Sequence, residues 1–115
     1  MKKIQLIEKN VQSANQLVRI AEELDRGFDR LTGISCLDNI GLDSSLTSSF
    51  IDGKELFPKN FEVLFLQTNE HVAPDGRFFS LDTPAKGNRI EIEFQDGGSA
   101  PAYPYQLKIY LRLEN

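Results

Sequence analysis

The residue types best suited to chemistry in this sequence are one cysteine and one histidine. Cys36 and His71 could form a nucleophile and its base, provided that the imidazole lies within hydrogen-bond reach of the thiol. Neither residue is surrounded by a recognisable nucleophile motif. We therefore interpret Cys36 as a buried structural cysteine and His71 as a surface loop residue, and we predict no catalytic residues.

Two glutamates form a second candidate constellation. Glu91 and Glu93 stand two residues apart, and on a strand this spacing places both carboxylates on one face about 7 Å apart. A pair of carboxylates flanking a scissile bond is the apparatus of a glycosidase. Because every half-exposed strand produces the same spacing, we interpret the pair as a solvated charge stripe.

Acidic loop residues are the candidates for metal binding. The stretch from Asp38 to Asp43 and the pair Asp75 and Asp82 could offer oxygen ligands, but neither group has the alternating acidic residues of a calcium loop. Turn capping explains these aspartates more economically. A single cysteine excludes both an internal disulfide and a multi-cysteine metal cluster. The sequence thus predicts no metal, no cofactor and no enzymatic activity.

Composition and charge narrow the classes of partner. The chain has 115 residues, 40% of them hydrophobic and 26% charged, which is ordinary globular composition. Residues 1–31 carry six Lys/Arg against five Asp/Glu, a balance of +1, and residues 32–115 carry seven against twelve, a balance of −5. An acidic body neutralises phosphates poorly, so we expect no nucleic-acid partner.

No apolar run approaches the roughly 18 residues of a membrane span, and the N-terminus lacks the apolar centre of a secretion signal, so we expect no membrane partner and folding in the cytoplasm.

The first element that must position these residues is the N-terminal segment, which has a heptad pattern. Apolar residues recur from Ile4 at alternating steps of three and four, and after a phase slip of one residue the pattern continues at Leu24, Phe28 and Leu31. This is the spacing of a coiled-coil seam. We predict an amphipathic helix over residues 1–31 whose seam is an oligomer interface. The interface residues are Ile4, Ile7, Val11, Ala14, Val18, Ala21, Leu24 and Phe28.

Beyond this helix the sequence predicts a wrapping linker over residues 32–53 and an antiparallel β domain over residues 54–115. The linker has a Ser/Asp-rich middle and one short helix capped by Asp43 or Ser44. The apolar run from Phe61 to Gln67 is typical of a strand covered on both faces.

Two later segments alternate cleanly between apolar and polar residues, Arg89 to Gln95 and Tyr105 to Glu114. We predict that they are strands and that they pair with each other. The fold class is therefore α+β, a long N-terminal coiled-coil-like helix followed by a small antiparallel β-sandwich or partly closed barrel.

Three tyrosines and two prolines cluster near the last loop. They are Tyr103, Tyr105 and Tyr110, with Pro101 and Pro104. Aromatic residues with a polar tip are typical of subunit contacts and also of the closed end of a sandwich. We predict that these tyrosines form a partner surface or close the end of the β domain.

The predicted helix is too long for its own domain. A helix of 28 residues is about 42 Å long, whereas a compact body made of the remaining residues is about 30 Å across. The part of the seam that extends beyond the domain needs a partner, and a second copy of the chain is the simplest source of one. The competing interpretation is a helix broken at Gly27 whose two pieces pack on the β body of the same chain. Isoleucine at both seam positions, Ile4 and Ile7, favours three or more strands, so we expect a homo-oligomer, with a trimer favoured.

A helical stalk followed by a compact acidic β body, without a catalytic constellation, resembles the plan of small phage virion proteins: head fibres, capsid decoration proteins and tail or fibre adaptors. The resemblance is one of architecture, so no functional residue is carried over from it. It implies a non-enzymatic structural protein of the virion that docks on a larger shell and contacts other virion proteins. The alternative is a small ligand- or glycan-binding β module, which would need a concave pocket with converging polar groups.

Overall fold

The described part of the chain folds mainly into extended strands. A computed structural model describes residues 2–37, 43–68 and 78–115. Along most of the long strands buried and exposed side chains alternate, which is the period of a sheet with one face on a core. The strands are β1 (Lys2–Val11), β2 (Leu17–Glu23), β3 (Arg30–Leu37), β4 (Ser45–Ile51), β5 (Lys54–Glu55), β6 (Phe61–Glu62), β7 (Gln67–Thr68), β8 (Phe79–Pro84), β9 (Arg89–Gln95) and β10 (Tyr105–Glu114), with a 3-10 turn, Val63–Leu66, between β6 and β7.

Two five-stranded sheets enclose the core. Sheet A has the order β1-β10-β3, with β7 and β8 both pairing with β3, and sheet B has the order β2-β9-β4, with β5 and β6 both pairing with β4. The described pairs are antiparallel except for the short ladder between β3 and β7. Consecutive long strands alternate between the sheets. This is the strand order of a jelly roll, a fold of two Greek keys in two sheets.

The core draws heavily on β9 and β10, which line it from opposite sheets. Their buried apolar residues are Ile90, Ile92, Phe94, Leu107, Ile109, Leu111 and Leu113. Each large side chain moved from water into such a core stabilises the fold by about 1.5–3 kcal/mol. Since β9 is flanked by β2 and β4, and β10 by β1 and β3, the rest of each sheet is arranged around these two strands.

The helix predicted over residues 1–31 is wrong, and with it the α+β fold class and the coiled coil. β1 and β2 occupy most of this segment, and the turn between them contains Asn15 at φ 64°. A step of four residues satisfies a period of two as well as a heptad, so Ile7 and Val11 share a face in a strand as they would in a helix.

The residues around the turn distinguish the two periods. Val18, Ile20 and Leu24 are buried, although the heptad pattern omits Ile20. Ala14 and Ala21 are exposed, although the heptad pattern includes them. The turn changes the parity of the inward positions from odd numbers in β1 to even numbers in β2, and the two strands together imitate a helical spacing.

The segment predicted as a linker, residues 32–53, contains most of β3 and all of β4, and the short helix predicted within it is wrong. β4 is difficult to recognise because serine takes an inward position. Ser49 is buried, and its Oγ accepts a hydrogen bond from the backbone N–H of Phe57 at 3.0 Å. A bulge between Leu46 and Ser48 breaks the alternation further.

The single strand predicted for residues 61–67 is also wrong. Two-residue strands flank the 3-10 turn here. Its period of about three residues places Val63 and Leu66 in the core and leaves Leu64 and Phe65 exposed. A short run of apolar residues does not by itself separate a buried strand from a turn of helix.

β9 and β10 have the predicted bounds, but their predicted pairing is wrong. β9 belongs to sheet B and β10 to sheet A, because the connection over residues 96–104 crosses between the sheets. β9 and β10 have the same alternating pattern, and their apolar side chains therefore enter the core from opposite sheets. The outward Glu93 pairs with Arg19 of β2, Nε to Oε2 at 2.9 Å, and not with a cation of β10.

Removing the N-terminal segment tests this fold. A chain that begins at Thr32 lacks β1 and β2 and loses the core residues Ile7, Val11, Val18 and Ile20. Each contributes about 1.5–3 kcal/mol against a total stability of about 5–15 kcal/mol, so we expect the shortened chain to be unfolded. Circular dichroism and thermal denaturation of both chains measure this. A cooperative transition in the shortened chain would contradict the jelly-roll arrangement.

Candidate functional site

A buried carboxylate lies where β9 ends. Asp96 is 0% exposed and is the only buried charged side chain among the described residues. The hydroxyls of Tyr103 and Tyr105 donate to Oδ2 and Oδ1, each at 2.6 Å. The backbone N–H groups of Asn15 and Gly98 donate to Oδ2 at 3.0 and 2.9 Å. Four donors from three parts of the chain thus converge on one carboxylate.

The electrostatics of this cluster fix its protonation. Burial raises the pKa of Asp96, but the hydrogen bonds from Tyr103, Tyr105 and the two backbone N–H groups together hold that pKa below its usual value. Burial and the bond to Asp96 raise the pKa of both tyrosines. The carboxylate therefore stays charged, the phenols stay neutral donors, and the donors already occupy the carboxylate oxygens. We interpret the cluster as a structural fastening, since a general base must be within reach of its substrate and Asp96 is fully buried.

Cys36 is buried, as predicted, and is also chemically inert. Its side chain is 1% exposed within β3, and burial raises the pKa of the thiol to about 12. A thiol with this pKa supplies almost no thiolate near neutral pH. The proposed partner base, His71, lies outside the described residues, as do Asp38 and Asp75. Within residues 2–37, 43–68 and 78–115, no three His, Cys, Asp or Glu side chains come together as metal ligands.

Glu91 and Glu93 lie on the outer face of sheet B beside a shallow open depression of about 350 Å³. The hydroxyl of Thr47 and the guanidinium of Arg19 donate to Glu93 at 2.7 and 2.9 Å, and these bonds lower the pKa of that carboxyl. Glu91 forms an ion pair with Arg89 at 3.4 Å. Glu93 is held as a charged group, which is the opposite of what the general acid of a glycosidase needs.

An exposed aromatic patch lies beside the 3-10 turn. We define it by Phe57, Phe61, Leu64, Phe65 and Phe79. Phe57 is buried and stacks on Phe61 with ring centroids 4.4 Å apart. Phe79 meets Phe57 edge-on at 5.5 Å, and Phe65 lies 5.6 Å from Phe61. Leu64 and Phe65 are nevertheless 48% and 63% exposed, so the packed aromatic stack adjoins a hydrophobic surface that is exposed to solvent.

A second exposed apolar surface lies on β1. We define the β1 face by the outward residues Lys2, Ile4, Leu6 and Glu8. Ile4 and Leu6 are 47% and 42% exposed. In the pairing with β10, Leu6 stands opposite Tyr110. The β1 face therefore adjoins one of the tyrosines predicted as a partner surface.

The predicted interface residues are divided by this arrangement. Five lie in the chain's own core, namely Ile7, Val11, Val18, Leu24 and Phe28. Ala14 and Ala21 are exposed but lie outside both apolar surfaces. Ile4 alone lies on the β1 face. The predicted tyrosine group is also divided, since Tyr103 and Tyr105 hold Asp96 while Tyr110 lies on β10.

The aromatic patch and Asp96 were not predicted from the sequence. An aspartate at the end of a predicted strand, followed by tyrosines seven and nine positions later, is the usable signal for the Asp96 cluster. The patch was hidden because residues 61–67 were interpreted as one buried strand. Five phenylalanines within residues 57–79 are the available sign of an aromatic cluster.

No family model, no curated protein and no solved structure matches this chain. Within the part of the chain that the structure describes, none of the helices has the length and apolar character needed to cross a membrane. The site therefore has to be inferred from surface geometry and from the chemistry of the side chains.

Replacing Asp96 tests its role as a fastening. Asp96→Asn removes the charge and turns an amide donor toward groups that are already donors, so we expect a loss of about 3 kcal/mol in the free energy of unfolding at neutral pH. Urea denaturation measures it. Asp82→Asn is the matched control, because Asp82 is exposed and pairs only at the surface with Arg30, and its loss should stay below about 1 kcal/mol.

The difference in stability between wild type and Asp96→Asn also depends on pH in a defined way. The pKa of Asp96 is lower in the folded chain, so its contribution is fully present above the ordinary aspartate pKa of about 4 and is lost as the pH falls through the folded-state value. The difference in stability between wild type and Asp96→Asn should shrink on acidification. A difference that is the same at pH 7 and pH 3 would refute the charged-carboxylate interpretation.

Proposed function

We propose that this chain is a non-enzymatic structural protein that forms oligomers and docks on a larger protein assembly, as a phage virion component of the head-fibre, decoration or adaptor type. The observation that carries the proposal is the aromatic patch, which exposes Leu64 and Phe65 on an ordered stack of rings. A patch of this kind marks a protein-binding surface in many proteins.

The patch is suited to a protein partner. Burying a large apolar side chain gains about 1.5–3 kcal/mol, and aromatic residues dominate the energetic centres of interfaces. Phe57, Phe61 and Phe79 hold one another through stacked and edge-on contacts, so little side-chain freedom is lost on binding. Single-stranded nucleic acid also stacks on aromatic rings, but its sites require a basic groove, and this chain has a net charge of −4.

The titratable groups support a role without catalysis. Active sites combine a cleft with groups whose pKa is shifted toward the working pH. Here Asp96 and Glu93 have their pKa lowered by hydrogen bonds, and the Cys36 thiol is buried. The jelly roll also occurs in viral capsid proteins, lectins and cupins, which agrees with the proposal by analogy of fold alone.

Particle binding tests the proposed function. Particles produced from the genome that encodes this chain should contain it at a fixed ratio to the major shell protein in quantitative mass spectrometry. Particles assembled without it should bind the purified chain, and Phe65→Asp should weaken that binding at least tenfold. Leu17→Asp is the matched control, since Leu17 is 41% exposed on β2 and outside the patch. A chain absent from purified particles would refute the proposal.

The depression on sheet B supports a second candidate, the binding of a small ligand or glycan. Its volume of about 350 Å³ is at the lower end for ligand sites, and Phe50 lies there among Arg19, Arg89 and Glu91. An aromatic ring with charged neighbours can stack on a sugar and bond its hydroxyls. Glycan-array binding that Phe50→Ala abolishes and Phe65→Asp preserves would assign the function to this depression.

A further inference from the structure

β1 is a long open edge of sheet A. It spans Lys2–Val11 and pairs with β10 through ten consecutive positions without a bulge. Among the described strands β10 is its only sheet partner. The other edge of its backbone has N–H and C=O groups that require hydrogen-bond partners, and such an edge is a ready template for another strand.

Most of the features that protect natural sheet edges are missing from β1. Edges are usually blunted by short length, proline, a bulge or charged side chains, and β1 has only the charges. Two of its lysines already have partners within the chain, since Lys3 pairs with Asp25 and Lys2 lies 3.9 Å from Glu114. The amide of Gln5 donates to the carbonyl of Glu23 at 3.1 Å and accepts from the N–H of Asp25 at 3.1 Å. Lys3 and Gln5 bridge toward sheet B and join the two sheets at this side.

The β1 face has a self-complementary pattern. From one end to the other it reads cation, apolar, apolar, anion, at Lys2, Ile4, Leu6 and Glu8. If two copies of β1 pair antiparallel about a two-fold axis, residues whose numbers sum to ten stand opposite each other. Lys2 then faces Glu8 of the second copy, and Ile4 faces Leu6, so that each of the four residues of the β1 face meets its complement.

Other registers lose this match. A sum of eight places Lys2 opposite Leu6, and a sum of twelve places Ile4 opposite Glu8 and Lys2 opposite Asn10. Odd sums would set outward residues of one copy against inward residues of the other, because side chains alternate with a period of two. One register of those compared therefore satisfies both the charges and the apolar residues.

We propose that two copies of this chain associate through antiparallel pairing of their β1 strands, residue 2 opposite residue 8, so that the two A sheets become one continuous sheet. This inference rests on the assembly role proposed above and names the contact between copies. Seven facing pairs provide about six to eight backbone hydrogen bonds. The contact is isologous and closed, so it produces a dimer and no filament. Its small area predicts a weak dimer, with a dissociation constant in the micromolar range.

Analytical ultracentrifugation of the full chain over roughly 1 to 500 μM tests the contact. The wild type should show a monomer–dimer equilibrium. Leu6→Asp sets a charge against Ile4 of the second copy and should weaken the dimer at least tenfold. Leu17→Asp is the matched control, because Leu17 lies outside the β1 face and the aromatic patch and is 41% exposed, against 42% for Leu6, and it should leave the equilibrium unchanged.

A charge exchange makes the register itself measurable. Lys2→Glu and Glu8→Lys each place like charges opposite each other at both symmetric positions, and each should weaken self-association about tenfold. In an equal mixture of the two variants every charge at position 2 meets the opposite charge at position 8, so dimers should return as mixed pairs. A loss caused only by altered folding would not be restored by mixing.

The outcomes separate this inference from the proposed function. A wild type that stays monomeric, a Leu6→Asp chain that still dimerises fully, or variants that fail to restore each other would overturn the β1 contact. A monomeric chain that binds particles through Phe65 would leave the docking role intact and refute only the oligomer. A dimer of the expected register that never associates with particles would support the β1 contact and refute the docking role.

Discussion

The geometry of this jelly roll depends on one buried carboxylate at the place where the chain changes sheets. Asp96 directly follows β9 and accepts hydrogen bonds from the turn between β1 and β2, from the loop that crosses to sheet A, and from the first residue of β10. Both the β1–β2 crossing and the β9–β10 crossing are therefore fastened to the same two oxygen atoms. An unpaired charge at this depth would cost several kcal/mol, so the tyrosines and backbone donors must be in place together with it.

How far the fold follows from the sequence depends on how cleanly each strand alternates. β9 and β10 have an unbroken period of two, and their bounds can be predicted. β1 and β2 cannot be recognised from one sequence, because steps of four fit both a helix and a strand and the turn at Asn15 shifts the phase. β4 is hidden by the inward Ser49. The predicted pairing of β9 with β10 is wrong. Strands that are consecutive in the chain most often lie side by side, whereas in a jelly roll this connection crosses from one sheet to the other.

The site was less accessible to prediction than the fold. Burial of Cys36 could be foreseen from its type alone. The two exposed apolar surfaces could not, because exposure is decided by which residues a turn or an edge leaves outside. Phe65 is exposed because a 3-10 turn replaces a strand, and Ile4 because β1 lies at the edge of its sheet. Ile4 belongs to no coiled coil, and its predicted role in an oligomer interface stays a prediction.

The pairing of β1 with β10 also has a consequence for how the protein is made in the cell. Lys2 stands opposite Glu114, so a ribosome must add almost the entire sequence before β1 can find its partner. At about 5–20 residues per second this interval lasts roughly 5–20 s. During it the apolar side of β1 has no strand beside it, and local contacts cannot substitute for a pairing of such high contact order. The pairing of β1 with β10 is therefore a late step of folding, because it can follow only the synthesis of every other described strand.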